Sequence, residues 1–281
     1  MKYLPDEAIG RLRRAADAPD FSGTRYRVIE EIGRGGMGVV YRAEDSVLGR
    51  TVALKVMDDA ATEREARIMA SLEHPGIVPV HDAGVLPDGR AFYAMKLVEG
   101  TPLSSYAGAL ADRLRVFQKI CEAVAFAHSR GVVHGDLKPD NIMIGSFGEA
   151  LVMDWGVAAL SGPGVIAGTK GFMAPEMTVS QAGDVYALGA ILRALKQGHE
   201  SRAALDAIVA RATARVPADR YGSALELRDE IARYVDGERV LAHRESVGER
   251  AARLFVRHRT AILLVAAYLA MRIALLVFMR R

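Results

Sequence analysis

Residues 134–141 of this 281-residue chain read HGDLKPDN, and thirteen positions further on Asp154 closes the run ALVMD. Asp136 and Asp154 bring carboxylates, Asn141 a neutral amide oxygen, and Lys138 a cation between them. The apolar runs NIMI and ALVMD read as a strand pair that draws Asp136, Asn141 and Asp154 toward one point. Hard oxygen donors gathered in that way suit magnesium. A lone Asn141 or Asp154 would read as a turn residue, so the joint spacing carries the site. His134 beside them reads as a packed scaffold histidine rather than an acid or base.

A second group lies upstream. IGRGGMGVV sets Gly33, Gly35 and Gly38 in G-x-G-x-x-G spacing between Ile32 and Val40. In dinucleotide-binding folds such glycines open a helix. Here Val39, Val40 and Tyr41 follow, a strand signal, so the glycines read as the tip of a hairpin. With no Cβ in the way, such a tip can lie over phosphates and donate backbone N–H groups. Fifteen residues beyond Val40, VALK brings Ala53 and Lys55 on the next strand, with Lys55 in reach of α- and β-phosphate oxygens. Phosphoryl transfer demands positioning and charge neutralisation more than covalent chemistry, and these residues supply both.

The elements that must hold them divide the chain. Residues 1–24 form an N-terminal extension, read as a short polar helix and a linker. From Tyr26 to Val98 β-branched runs broken by Gly and Asp-Gly turns predict a small sheet with one helix, ATEREARIMASL. After Gly100 the period turns helical, in RLRVFQKICEAVAFAHSRG, DVYALGAILRALKQ, ALDAIVARATAR and ALELRDEIARYV. The fold class is therefore α+β and bilobal, with a β lobe over 25–98 and a helical lobe over 99–236. Residues 237–260 make a basic linker. Residues 261–279 are almost unbroken apolar residues, long enough to cross a hydrocarbon core of about 30 Å as a helix. Arg253, Arg257 and Arg259 before this run, and Arg280 and Arg281 after it, suit lipid headgroups, and Arg272 lies near enough to one end to snorkel. The expectation is a single-pass C-terminal anchor in the cell membrane, with the remainder cytoplasmic.

Hydrophobic residues make up 51% of the chain, ample for a packed core. The formal net charge of +3 gives no argument for nucleic acid. The one cysteine, Cys121, excludes an intramolecular disulfide and reads as a packed thiol. No cleaved leader is evident in MKYLPDEAIG, so the bulk of the chain is expected where ATP is.

Taken together, IGRGGMGVV, VALK, HPGIV, DLKPDN, DWG, GTKGFMAPE and DVYALG resemble the eukaryotic-like Ser/Thr protein kinase family of bacteria, from about Tyr26 to Val235. The resemblance implies ATP and Mg2+ as cofactors and protein serine or threonine as substrate. It implies that Lys55 pairs with Glu65 and that Met95 is the gatekeeper, with the backbone of Lys96 and Val98 holding adenine. Asp136 would accept the substrate hydroxyl's proton, Lys138 would neutralise the moving phosphoryl group, and Asn141 and Asp154 would hold magnesium. Glu176 would pair with Arg220, and Asp184 would brace the catalytic loop.

Departures from the pattern set the rival readings. Gly135 stands where protein kinases usually carry arginine, as it does in small-molecule phosphotransferases of the aminoglycoside type, and Trp155 replaces phenylalanine. Only ten positions separate Lys55 from Glu65, and the segments around Glu176 and KQGHESR are short. A membrane-tethered pseudokinase, binding nucleotide and partners, is the rival of a different class. Between Asp154 and Glu176 the hydroxyls are Ser161 and Thr169. With no arginine at 135 to grip a loop phosphate, activity is expected not to depend on activation-loop phosphorylation.

Overall fold

The computed structural model describes residues 19–35, 38–57, 67–155, 168–197 and 203–279. Five strands form an antiparallel sheet: β1 (Tyr26–Gly35), β2 (Gly38–Asp45), β3 (Arg50–Met57), β4 (Val80–Val85) and β5 (Ala91–Lys96), in the order β1-β2-β3-β5-β4. The two edges meet where the Tyr26 hydroxyl donates to Asp82 Oδ2 at 2.8 Å, which curls the sheet around Tyr41, Val52, Leu54 and Phe92. Burial pushes the Tyr26 phenol up to about 12. Phe21, expected to lie in a linker, sets its ring edge-on to Tyr41 and Phe92 at 6.1 and 6.2 Å and so belongs to this core. The stretch IVPVHDAGV, which reads as one strand, begins its ladder only at Val80. Pro79 has no N–H to give, and Ile77 makes an isolated bridge to Val152 instead.

The second lobe starts with β6 (Gly100–Pro102), leads into the twenty-residue helix α1 (Leu110–Ser129), and continues with β7 (Ile142–Gly145) and β8 (Ala150–Val152). These three short strands pair as β6-β7-β8. Helices α2 (Gln181–Leu195), α3 (Ala203–Ala212) and α4 (Ala224–Val235) complete it. Ser180 caps α2 by accepting from Gly183 N–H, and Ser223 caps α4 by accepting from Glu226 N–H. Phe117, Ile120, Val124, Leu188, Ile191, Ile208 and Leu227 fill the core. Met69, Leu72 and Ile77 precede the chain's crossing at 98 but pack into this second core, tying the lobes together. Of the helix expected over ATEREARIMASL, residues 67–70 are helical, and 58–66 lie outside the described residues.

The remaining segment is ordered differently from a loose linker. Buried Glu230 of α4 accepts from the amides of Leu241 and Ala242 at 2.7 and 3.0 Å, and Val240 enters the core. Ser246 and Glu249 then form a reciprocal capping box that starts α5 (Val247–Met279). The helix therefore begins inside the expected linker and runs unbroken through the expected span. Among the described residues no helix is long and apolar enough to cross a membrane. The side chains of Ala261, Ala274, Leu276 and Val277 fall outside that description.

Candidate active site

The hairpin of β1 and β2 hangs over the cleft with Gly33 opposite Val40 and Gly35 opposite Gly38. Gly38 has φ 121°, and a Cβ there would sit 2.2 Å from Val56 O, so packing on β3 demands glycine. Gly33 and Gly35 differ. A Cβ on Gly33 would meet nothing nearer than Val40 Cβ at 4.0 Å, and one on Gly35 would meet nothing within 4 Å. Their bareness serves no contact within the described residues and leaves the backbone open to a ligand. Ile32 is exposed, Val40 half-buried and Ala53 buried, so an apolar edge and ceiling stand beside the glycines. Ala53 pairs with Met95 across β3 and β5. The Lys96 amide donates to Pro79 O at 3.1 Å, so Lys96 does not offer that N–H to the cleft.

Lys55 shares the β3 face of Ala53, two residues on, and is only 3% exposed. Its ammonium lies 5.8 Å from the Tyr93 ring centre and donates to Asp154 Oδ1 at 3.1 Å. A buried ammonium requires such a partner. Glu65 lies outside the described residues. Asp154 itself sits at φ 58°, a left-handed conformation that costs a non-glycine residue about 1–2 kcal/mol. That strain turns its carboxylate into the cleft, where it stays partly exposed.

Across the cleft, Asp136, Lys138 and Thr169 close a triangle. Lys138 Nζ donates to Asp136 Oδ2 at 2.8 Å and to Thr169 Oγ1 at 3.0 Å, and the Thr169 hydroxyl donates to Asp136 Oδ1 at 2.8 Å. Asn141 Nδ2 donates to Asp136 O at 2.9 Å, which fixes the amide's orientation and leaves Oδ1 as its outward acceptor. His134 has the scaffold part. Its Nε2–H donates to Met153 O at 2.9 Å, its Nδ1 accepts from Asp136 N–H at 3.3 Å, and its ring stacks at 4.7 Å on Trp155. Trp155 is wholly buried, and its indole N–H has no partner among the described residues.

The donor set can be tested against magnesium. Among the described residues no group of three or more His, Cys, Asp or Glu side chains could hold a metal by itself. Asn141 and Asp154 alone offer one amide oxygen and one carboxylate. That fits a cation that keeps waters and completes its shell with substrate phosphates, the habit of magnesium at nucleotide sites.

Support reaches the site from the helical lobe. Arg220 is buried and clasps Glu176 through two bonds of 2.7 and 2.6 Å, with further bonds to Ala182 O and Ala214 O. Those guanidinium bonds hold the Glu176 carboxyl below its usual range. Asp184 accepts from the amides of His134 and Gly135 at 2.8 and 2.9 Å. Two residues escaped the sequence reading. Met143 of β7 alternates away from buried Ile142 and Ile144 and stays half-buried, and the alternation within NIMI was its signal. His128, at the end of α1, reaches Asp184 Oδ2 at 2.8 Å, and nothing in its spacing announced that contact.

This two-lobed frame, with a glycine hairpin, a buried lysine and an aspartate triangle facing each other, is that of a phosphotransferase. The chain belongs to the protein kinase family, whose domain description, protein kinase domain, matches residues 26–214. It is 34% identical to the serine/threonine-protein kinase PknD of Chlamydia pneumoniae over 76% of this chain and 31% of PknD. It is 42% identical to the DNA damage-responsive serine/threonine-protein kinase RqkA of Deinococcus radiodurans over 60% of this chain and 29% of RqkA. By these relatives its domain is of the serine/threonine kinase type. The chain spans about a third of the length of the curated relatives it matches.

Proposed function

We propose that the chain is a membrane-anchored, magnesium-dependent kinase that transfers the γ-phosphate of ATP to serine or threonine hydroxyls of proteins. The observation that carries this reading is the Asp136–Lys138–Thr169 triangle, set across the cleft from the Lys55–Asp154 pair. Asp136 receives the proton of the attacking hydroxyl, and Lys138 stands ready to balance charge on the moving group. Lys55 holds non-transferred phosphates, Gly33 and Gly35 offer open backbone above them, and Lys96 carbonyl and Val98 face the base. Asn141 Oδ1 and Asp154 would hold the magnesium, which supplies neutralisation of phosphate charge.

Two finer features belong to the proposal. The first is anchoring: Leu263, Leu264, Tyr268, Leu269, Ile273 and Phe278 stand exposed on α5, an apolar surface that water does not favour. The arginines ahead of them favour anionic lipid and a cytoplasmic kinase domain. A full-length chain that fractionates without detergent in the soluble phase would remove the anchor. The second is independence from activation-loop phosphorylation, supported by Gly135.

The deciding experiment incubates the full chain with labelled ATP, magnesium and a generic basic protein. Label on serine or threonine of either protein is expected. Nucleotide binding with no transfer would make the chain a nucleotide-binding interaction module, and transfer to an aminoglycoside-like alcohol would make it a small-molecule phosphotransferase.

A further inference from the structure

Arg272 is the one charged residue inside the apolar run 261–279, and its place there is central. The run's midpoint falls at 270, so Arg272 stands two residues beyond it, about 3 Å along α5 at helical rise. The nearer end of the run, Met279, is about 10 Å away. Helical side chains lean toward the N-terminus, so an arginine past the midpoint leans away from its nearer end. The structure has that lean: the guanidinium Cζ lies 6.0 Å from the ring centre of Tyr268, one turn back. Snorkelling to headgroups beyond Met279, expected from the sequence, would run against it. The charge is left at the middle of the span, among the costliest placements in a bilayer.

The helix itself brings no counter-charge. From Arg250 to Arg281 the sequence holds no Asp or Glu, and the Tyr268 ring, at the outer limit of a cation–π contact, attracts the charge without neutralising it. Val265, Tyr268, Leu275 and Met279 stand exposed at three- and four-residue spacing on the Arg272 side, a seam that one further helix can cover. A second copy of this chain in parallel would set Arg272 against Arg272, where like charges repel. An anionic headgroup lies at the interface and not at this depth.

We propose that α5 is one half of a transmembrane pair, and that Arg272 receives a membrane-spanning helix of another protein carrying an aspartate or glutamate near its middle. The site rests on the anchor proposed above and gives it a second task, recruiting a partner to the kinase as well as holding it at the membrane. Charge complementarity sets the partner's chemistry. A guanidinium and a carboxylate match through two parallel hydrogen bonds, and each offsets the cost of burying the other in hydrocarbon. Register follows, because the partner's carboxylate must lie at the depth of Arg272.

The test places the full chain in phosphatidylcholine vesicles with a biotinylated leucine-rich spanning peptide bearing one glutamate at its middle, beside the same peptide with leucine there. After mild solubilisation, capture of the peptide is expected to retain about tenfold more chain with glutamate than with leucine. Arg272→Leu should abolish that preference and Arg272→Lys should keep most of it, with the melting temperature of the kinase domain unchanged in both. Phosphatidylglycerol added to the vesicles should not weaken it. Equal capture by the two peptides overturns the inference, as does a glutamate preference that survives in Arg272→Leu. A preference that anionic lipid abolishes makes headgroups the partner and overturns it too. Cross-linked homodimers that Arg272→Leu removes would make a second copy the occupant, with the same result. A chain that alkaline carbonate strips from the vesicles defeats the anchor, and the site with it. One that stays with the vesicles and ignores glutamate defeats the site alone.

Discussion

Thr169→Ala removes the hydroxyl that bridges Asp136 and Lys138 of the catalytic loop. Its oxygen gives one hydrogen bond to Asp136 at 2.8 Å and takes one from Lys138 at 3.0 Å. Bonds to charged groups contribute about 1.5–3 kcal/mol each. Asp136 and Lys138 remain bonded to one another at 2.8 Å, and their side chains are 16% and 24% exposed, so water recovers part of the loss. About 2 kcal/mol is the working figure, which corresponds to roughly thirtyfold in kcat. The assay is steady-state transfer to a protein substrate, with Thr169→Ser beside Thr169→Ala. Serine restores the oxygen and should restore most of the rate. Ser161→Ala and phosphatase treatment of the wild type should each leave activity nearly unchanged. An alanine variant within about twofold of wild type would refute the positional argument. Collapse of activity on dephosphorylation, and in Ser161→Ala alike, would show the loop to be a phospho-switch.

Lys55→Met and Asp136→Asn should both abolish transfer, but nucleotide titration should separate them: methionine weakens or misaligns ATP, whereas asparagine spares its affinity. Gly38→Ala should lower the melting temperature, because its Cβ meets Val56 O at 2.2 Å, whereas Gly33→Ala and Gly35→Ala should keep stability and lose ATP affinity. Glu176→Gln should destabilise the domain at neutral pH. Folded Glu176 binds its proton less readily than unfolded Glu176, so the pair's contribution holds above the unfolded value near 4.5 and is lost as pH falls through the lower folded one. The stability gap between wild type and Glu176→Gln, followed by denaturant titration, should therefore narrow in acid. A gap that stays constant would mean the pair is not its source.

What the sequence could and could not disclose follows from the reach of each interaction. The helix over ALELRDEIARYV was legible because period and caps are local, and α4 spans those residues. The grouping of Asp136 with Asn141 was legible because the two lie on one short loop. Phe21 in the β-lobe core, Met69 and Leu72 in the helical core, and His128 on Asp184 were not. Each of these contacts joins segments far apart in the chain, and no local pattern encodes which buried face another element will meet. The capping box at Ser246 could have been read from the spacing of SVGE, but the apolar run beyond it drew the boundary too late.

Gly135 itself can be weighed against the arginine that usually stands before a kinase's catalytic aspartate. The backbone at this position has φ 80° and gives its N–H to Asp184. Any side chain placed there would hold a left-handed conformation at about 1–2 kcal/mol. A chain that grips a loop phosphate through that side chain offsets the strain with charge-assisted bonds, and the strain becomes part of a switch. Where no phosphate is gripped, the strain has no return, and glycine removes it at the expense of backbone freedom. Here the Gly135 N–H is tied at 2.9 Å to Asp184, a carboxylate buried in the core. The glycine of HGD therefore accords with a protein kinase whose loop is set by packing and buried hydrogen bonds, and it need not signal a small-molecule phosphotransferase.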